Sequence, residues 1–143
     1  MIYVLSTQSL LDLLGGKPSI MNWLSTVSMQ DVEISAVSIG QALDTIQQKP
    51  NAAQRKNFER QLDRIVTTVK SSDGLISFDE GAARIWAELE SKTLAYRTRD
   101  GNTTELSHAS RMVVATALRR GAMFVEDSQP YHAAIAGLQV VSP

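Results

Sequence analysis

The stretch Met1-Ile2-Tyr3-Val4-Leu5-Ser6-Thr7-Gln8-Ser9-Leu10-Leu11 decides the fold. Residues 2–5 are an apolar run without polar alternation, the pattern of a strand covered on both faces. The chain then passes at once into a helix over residues 7–14, with Leu10, Leu11 and Leu14 on one side. Gly15-Gly16 ends that helix, because glycine takes up the left-handed conformation cheaply. A buried strand that feeds a helix directly is the opening unit of an α/β domain.

Outward from this unit the alternation continues. Pro18 and Ser19 open a second helix carrying Ile20, Trp23, Leu24 and Val27 at helical spacing. Val32, Ile34 and Ala36 alternate as in a strand. Ser38 is read as the N-cap of a helix that buries Ile39, Ala42, Leu43 and Ile46. After the Pro50-Asn51 break comes a long amphipathic helix with Phe58, Leu62, Ile65, Val66 and Val69 inward. Its outer face bears Arg55, Lys56, Glu59, Arg60, Asp63 and Arg64, read as a solvated surface held by i, i+4 ion pairs. Residues 75–78 form the next strand, and Asp79 caps a helix expected to reach Tyr96 or Arg97. Residues 98–105, with Asp100-Gly101-Asn102, read as an exposed loop. A helix follows from Ser107 or His108 and closes at Gly121, before two last strands at 123–126 and 138–141. The pattern implies one α/β domain over residues 1–143. A central, mostly parallel sheet of about five strands carries helices on both faces.

The 143 residues suffice for a real hydrophobic core. With 43% hydrophobic and 20% charged residues, the composition is that of an ordinary globular domain, and the net charge of −1 singles out no acidic or basic partner. The absence of cysteine excludes disulfides, thiolate metal sites and cysteine nucleophiles. No apolar run approaches the roughly 20 residues that span a bilayer. The N-terminus has no basic stretch before a long apolar segment, so a cytoplasmic location is expected.

In a parallel sheet, ligands bind beyond the carboxyl ends of the strands, near the switch in strand order. Those junctions hold Ser6-Thr7-Gln8, residues 35–41 including Ser38 and Gln41, Asp79-Glu80, Ser107 to Ser110, and Glu126-Asp127-Ser128. Serine and threonine at helix starts most often serve as caps.

Four stretches, residues 1–14, 34–46, 75–89 and 106–143, resemble PIN-domain proteins of the VapC toxin type. The most specific runs Met112-Val113-Val114-Ala115-Thr116-Ala117-Leu118-Arg119-Arg120-Gly121-Ala122-Met123-Phe124-Val125. The resemblance covers essentially the whole chain. It implies a PIN-like three-layer sandwich and a ribonuclease in which acidic side chains hold Mg²⁺. Carried over residue by residue, the family's acids fall on Ser6, Gln41, Ser110 and Ser128. A hydroxyl or amide offers a metal ion only a dipole, without the Coulomb attraction of a carboxylate. Glu126 and Asp127 are the possible surrogate acids. Thr7, Gln8, Ser38 and Arg111 are candidate binding residues.

The expected function is therefore that of a degenerate VapC-like domain without nuclease activity, acting through protein or RNA binding, with no metal cofactor. The alternative is an active Mg²⁺-dependent ribonuclease toxin of a toxin–antitoxin module with a relocated acidic site. The resemblance suggests a homodimer and a VapB-like antitoxin, for which Leu10, Leu14, Ile20, Trp23 and Leu24 are the candidate groove. His132 is expected in a surface loop, and Asp12 is expected to point away from the strand ends.

Overall fold

A computed structural model describes residues 1–143. Five parallel strands form one sheet: β1 (Tyr3–Leu5), β2 (Val32–Ser35), β3 (Leu75–Ile76), β6 (Met123–Val125) and β7 (Gln139–Val141). Their order is β3-β2-β1-β6-β7. The chain starts at the centre, builds outward through β2 and β3, then crosses back to place β6 on the free side of β1. The switch in direction therefore lies between β1 and β6, and the crevice beyond their carboxyl ends is the natural ligand position.

Successive strand residues face opposite sides, so the sheet divides the core in two. Val4 and Phe124 pack with Val113, Val114, Leu89 and Tyr131, under α5 (Glu80–Glu90) and α6 (His108–Arg120). Leu5 and Val125 pack with Leu10, Ile34, Ile46 and Leu62, under α1 (Thr7–Leu14), α2 (Pro18–Leu24), α3 (Ala36–Gln47) and α4 (Ala52–Ser71). The three-layer α/β sandwich is the expected one.

Several local readings change. The N-cap of α3 is Ser35, whose hydroxyl accepts from the Val37 amide at 3.1 Å; Ser38 lies inside the helix and is buried. All four residues of β2 are buried, so alternation stops short of Ala36, which already belongs to the helix. The helix α5 ends at Glu90, six residues before Tyr96. In place of the expected loop, β4 (Ala95–Arg97) and β5 (Thr103–Glu105) pair as an antiparallel hairpin. Its turn is closed by the Thr98 amide donating to the Asn102 carbonyl at 2.8 Å, and Gly101 supplies the positive φ of 88°. The fully buried Leu94 ties the hairpin to the core, accepting from the Leu106 amide at 2.8 Å.

The charged face of α4 also differs from expectation. None of its side chains takes part in an ion pair. The i, i+4 spacing sets Lys56, Arg60 and Arg64 in one row, while Arg55, which precedes Glu59 and Asp63 in the other, donates instead to the Lys49 carbonyl at 2.5 Å.

Candidate functional site

The cleft at the β1/β6 switch point measures about 260 Å³. Its polar wall is built at three helix starts. Ser6 ends β1 and caps α1, its Oγ accepting from the Ser9 amide at 3.0 Å. Ser107 caps α6, accepting from the Ser110 amide at 3.1 Å. On α3, Gln41 turns toward the same space, with the fully buried Ser38 outside its lining.

These side chains bond to one another. Thr7 Oγ1 donates to Gln41 Oε1 and lies 3.1 Å from Ser38 Oγ. Gln41 Nε2 reaches Ser110 Oγ at 3.5 Å, and Ser107 Oγ lies 3.0 Å from Ser110 Oγ. A neutral hydrogen-bonded chain thus links α1, α3 and α6 across residues far apart in sequence. The structure brings Ser6, Thr7, Gln8, Gln41 and Ser110 together around one cleft, as the strand-end argument expects.

The two candidate surrogate acids part company. Glu126 lines the cleft and is 6% exposed; Asp127 does not line it and meets Lys17 Nζ at 3.2 Å. Glu126 Oε1 accepts from the Tyr131 hydroxyl and from His132 Nε2 at 2.8 Å. The Gln129 amide donates to His132 Nδ1 at 3.3 Å, so the ring proton sits on Nε2. Burial, then the Glu126 charge, push the Tyr131 hydroxyl far above its ordinary pKa, and it stays protonated. His132 lies in a 3₁₀ turn (Pro130–Ala134), with its side chain 13% exposed; it is no free surface histidine. The missed signal is its spacing, six residues beyond Glu126, which the turn converts into contact.

Other candidates lie elsewhere. Ser128 is exposed and outside the cleft. Arg111 is 4% exposed and faces away from it: its guanidinium donates to the carbonyls of Leu89, Lys92 and Leu106 and to Glu105. It stitches α5, the hairpin and α6 together rather than standing free for an anion. Leu10, Leu14 and Ile20 are core residues at 0%, 7% and 1% exposure, because α1 and α2 lay these faces on the sheet. Of the expected groove, Trp23 and Leu24 remain half-buried, and Trp23 packs edge-on against Tyr3 at 5.1 Å. Asp12 is buried, bonded to Gln8 and Arg99. Glu105 stands at the cleft rim, while His108 pairs with Glu90 at 2.6 Å.

No cluster of three or more His, Cys, Asp or Glu side chains is placed to hold a metal ion. No helix is long and apolar enough to cross a membrane.

No family model and no curated protein sequence matches the chain. Solved structures do. The FitAcB structure from Neisseria gonorrhoeae superposes with a TM-score of 0.75 at 21% identity, over 99% of this chain and 97% of that one. VapBC2 from Rickettsia felis, bound to a DNA fragment from its promoter, gives 0.72 at 16% identity over 99% and 98%. DNA-bound VapBC from Salmonella typhimurium gives 0.68 at 18% identity over 99% and 97%. The chain has the PIN-like α/β fold, shared with chains of these FitAcB and VapBC structures.

Proposed function

We propose that the chain is a VapC-like PIN domain that has lost nuclease activity and works by binding a protein, either an antitoxin-like partner or a second copy of itself. The observation that carries this reading is the bond from Gln41 to Ser110. Two positions matching the family's acids satisfy one another, and the third, Ser6, is occupied in capping α1.

The fold family implies Mg²⁺, and the residues present do not fit it. Mg²⁺ is a hard cation that surrenders its water reluctantly and is held through carboxylates. The cleft offers hydroxyls and amides. Of its carboxylates, Glu126 already accepts from Tyr131 and His132 through one oxygen, and Glu105 is 2.7 Å from the buried Arg111. Glu126 Oε2 is left uncommitted, too little charge to anchor Mg²⁺ by itself.

The partner reading draws on the neighbours, among them a toxin–antitoxin complex from Klebsiella pneumoniae and a member of the VapBC family of toxin–antitoxin systems from Mycobacterium tuberculosis. A shallow groove of about 220 Å³ between α1, α2 and α4, lined by Leu13, Leu24, Met29 and Ile65, provides apolar surface for such a partner. Met29, part of that lining, is 39% exposed. Contacts there would rest on apolar burial at roughly 25 cal/mol per Å².

The test is direct. Purified protein, incubated with labelled structured and unstructured RNAs in Mg²⁺ or Mn²⁺, leaves them intact, and its expression does not arrest growth. Cleavage that Glu126→Gln removes would overturn the proposal and restore the active ribonuclease.

A further inference from the structure

A second cleft, of about 400 Å³, opens beside the first and shares Gln8 and Leu11 with it. Its walls come from α1, the end of α3, α4 and the tip of the β4–β5 hairpin. Three cations line it, Lys17, Lys49 and Arg99, against a single carboxylate, Asp12. The cations come from three separate segments, so their convergence is made by the fold and is no helix-face coincidence.

Asp12 orients two of them. Arg99 Nη2 bonds Asp12 Oδ1, Gln8 Nε2 bonds the same oxygen at 3.1 Å, and Lys17 Nζ lies 3.6 Å from Oδ2. Lys17 also meets Asp127, outside the cleft lining, at 3.2 Å. Lys49 has no carboxylate partner; its ammonium rests 4.8 Å above the Phe58 ring. Three cations against one carboxylate leave the lining with two positive charges, in a chain whose net charge is −1. The adjoining cleft differs: one wall is hydroxyls and amides that both donate and accept, and its two carboxylates are engaged, Glu126 with Tyr131 and His132 and Glu105 with Arg111.

We infer that the two clefts together bind one small molecule, a phosphate monoester carrying a hydroxyl-rich body. The phosphate, at about −1.5 to −2 charge near neutral pH, matches the cationic lining. The body lies against Thr7, Gln8 and Gln41, where sugar hydroxyls find partners of either polarity. Gln8, shared by both clefts, stands at the junction. The second cleft falls within the size range of small-molecule sites, roughly 300–1,000 Å³. The inference does not depend on loss of nuclease activity and stands or falls separately.

Titration calorimetry on the full chain decides it, with four probes: adenosine 5′-monophosphate, ribose 5-phosphate, inorganic phosphate and ribose. At least one monoester binds with Kd below about 1 mM, and inorganic phosphate and ribose bind at least about ten-fold more weakly. The better of the two monoesters identifies the source as nucleotide or sugar phosphate. Lys49→Gln weakens binding about ten-fold while leaving the circular dichroism spectrum and melting temperature unchanged, since Lys49 holds no ion pair. Failure of both monoesters to bind overturns the inference. So does inorganic phosphate binding as tightly as either, or Lys49→Gln without effect.

Discussion

Placing charge at two of the neutral positions tests whether this cleft is built around uncharged side chains. In Gln41→Glu/Ser110→Asp, the two new carboxylates replace groups that lie 3.5 Å apart. At about 4 Å their repulsion is about 1 kcal/mol in bulk water and about 4 kcal/mol at an effective dielectric of about 20. The cleft is open to solvent, so the double-mutant coupling should fall at about 1–3 kcal/mol, destabilising, in metal-free buffer at pH 8. Near about 4 °C per kcal/mol for a chain of this size, the coupling lowers the melting temperature by about 4–12 °C. The sign with pH follows. Each carboxylate raises the other's folded-state pKa above its unfolded value, so the penalty is present at neutral pH and disappears as pH falls below the unfolded carboxylate range. Millimolar Mg²⁺ should recover stability in the double variant, where Glu126 supplies a third acid, and leave the unaltered protein's melting temperature where it was. The assay is thermal and urea unfolding of the four proteins of the cycle, with EDTA or Mg²⁺. A coupling below about 0.5 kcal/mol, or an equal response to Mg²⁺ in the unaltered protein, refutes the reasoning.

Two further substitutions probe the framework. Arg120 grips the buried Glu33 of β2 with Nε at 2.9 Å and Nη2 at 2.6 Å, so Arg120→Ala strands a carboxylate; with the arginine side chain 39% exposed, urea unfolding should show a loss of about 1.5–3 kcal/mol, largely relieved by adding Glu33→Gln. The raised pKa of Tyr131 means that its contribution is intact below the unfolded value of 10.0 and is lost as pH rises above it. The unaltered protein should lose about 1.4 kcal/mol per pH unit there from this one group, and Tyr131→Phe should lack that slope.

The strand-to-helix junctions were legible because each is local. The apolar run of β1 and the cap at Ser6 sit within a few residues, as do the apolar face and the Gly121 terminus of α6. The strand-end rule then brings Ser6, Gln41 and Ser110 to one crevice without any knowledge of side-chain angles. What escaped depends on contacts between distant segments. The hairpin at 95–105 has a fully exposed polar second strand, so no apolar alternation announces it; pairing with β4 and the anchorage of Leu94 create it. Arg111 reads as a surface cation because nothing local reveals that three carbonyls from α5 and the loops beyond it converge on its guanidinium. Leu10, Leu14 and Ile20 show the limit of periodicity: it identifies an apolar face and not what covers it, which here is the sheet. The charges of α4 fail for a simpler reason. Ion pairing at i, i+4 requires opposite signs in the same row; Lys56, Arg60 and Arg64 repeat one sign, and Arg55, placed four residues before Glu59, turns instead to the Lys49 carbonyl.

One side chain deserves a different description from the site it adjoins. The Gln129 amide accepts from the Arg97 backbone N–H at 2.7 Å and donates to the Arg97 carbonyl at 3.0 Å. It meets β4 as a neighbouring strand would, one residue wide. A two-stranded ribbon otherwise offers its outer margin to any passing chain, the opening step of edge-to-edge association. Gln129 closes the β4 margin at Arg97 with its own carboxamide, so on that side the ribbon ends within the molecule.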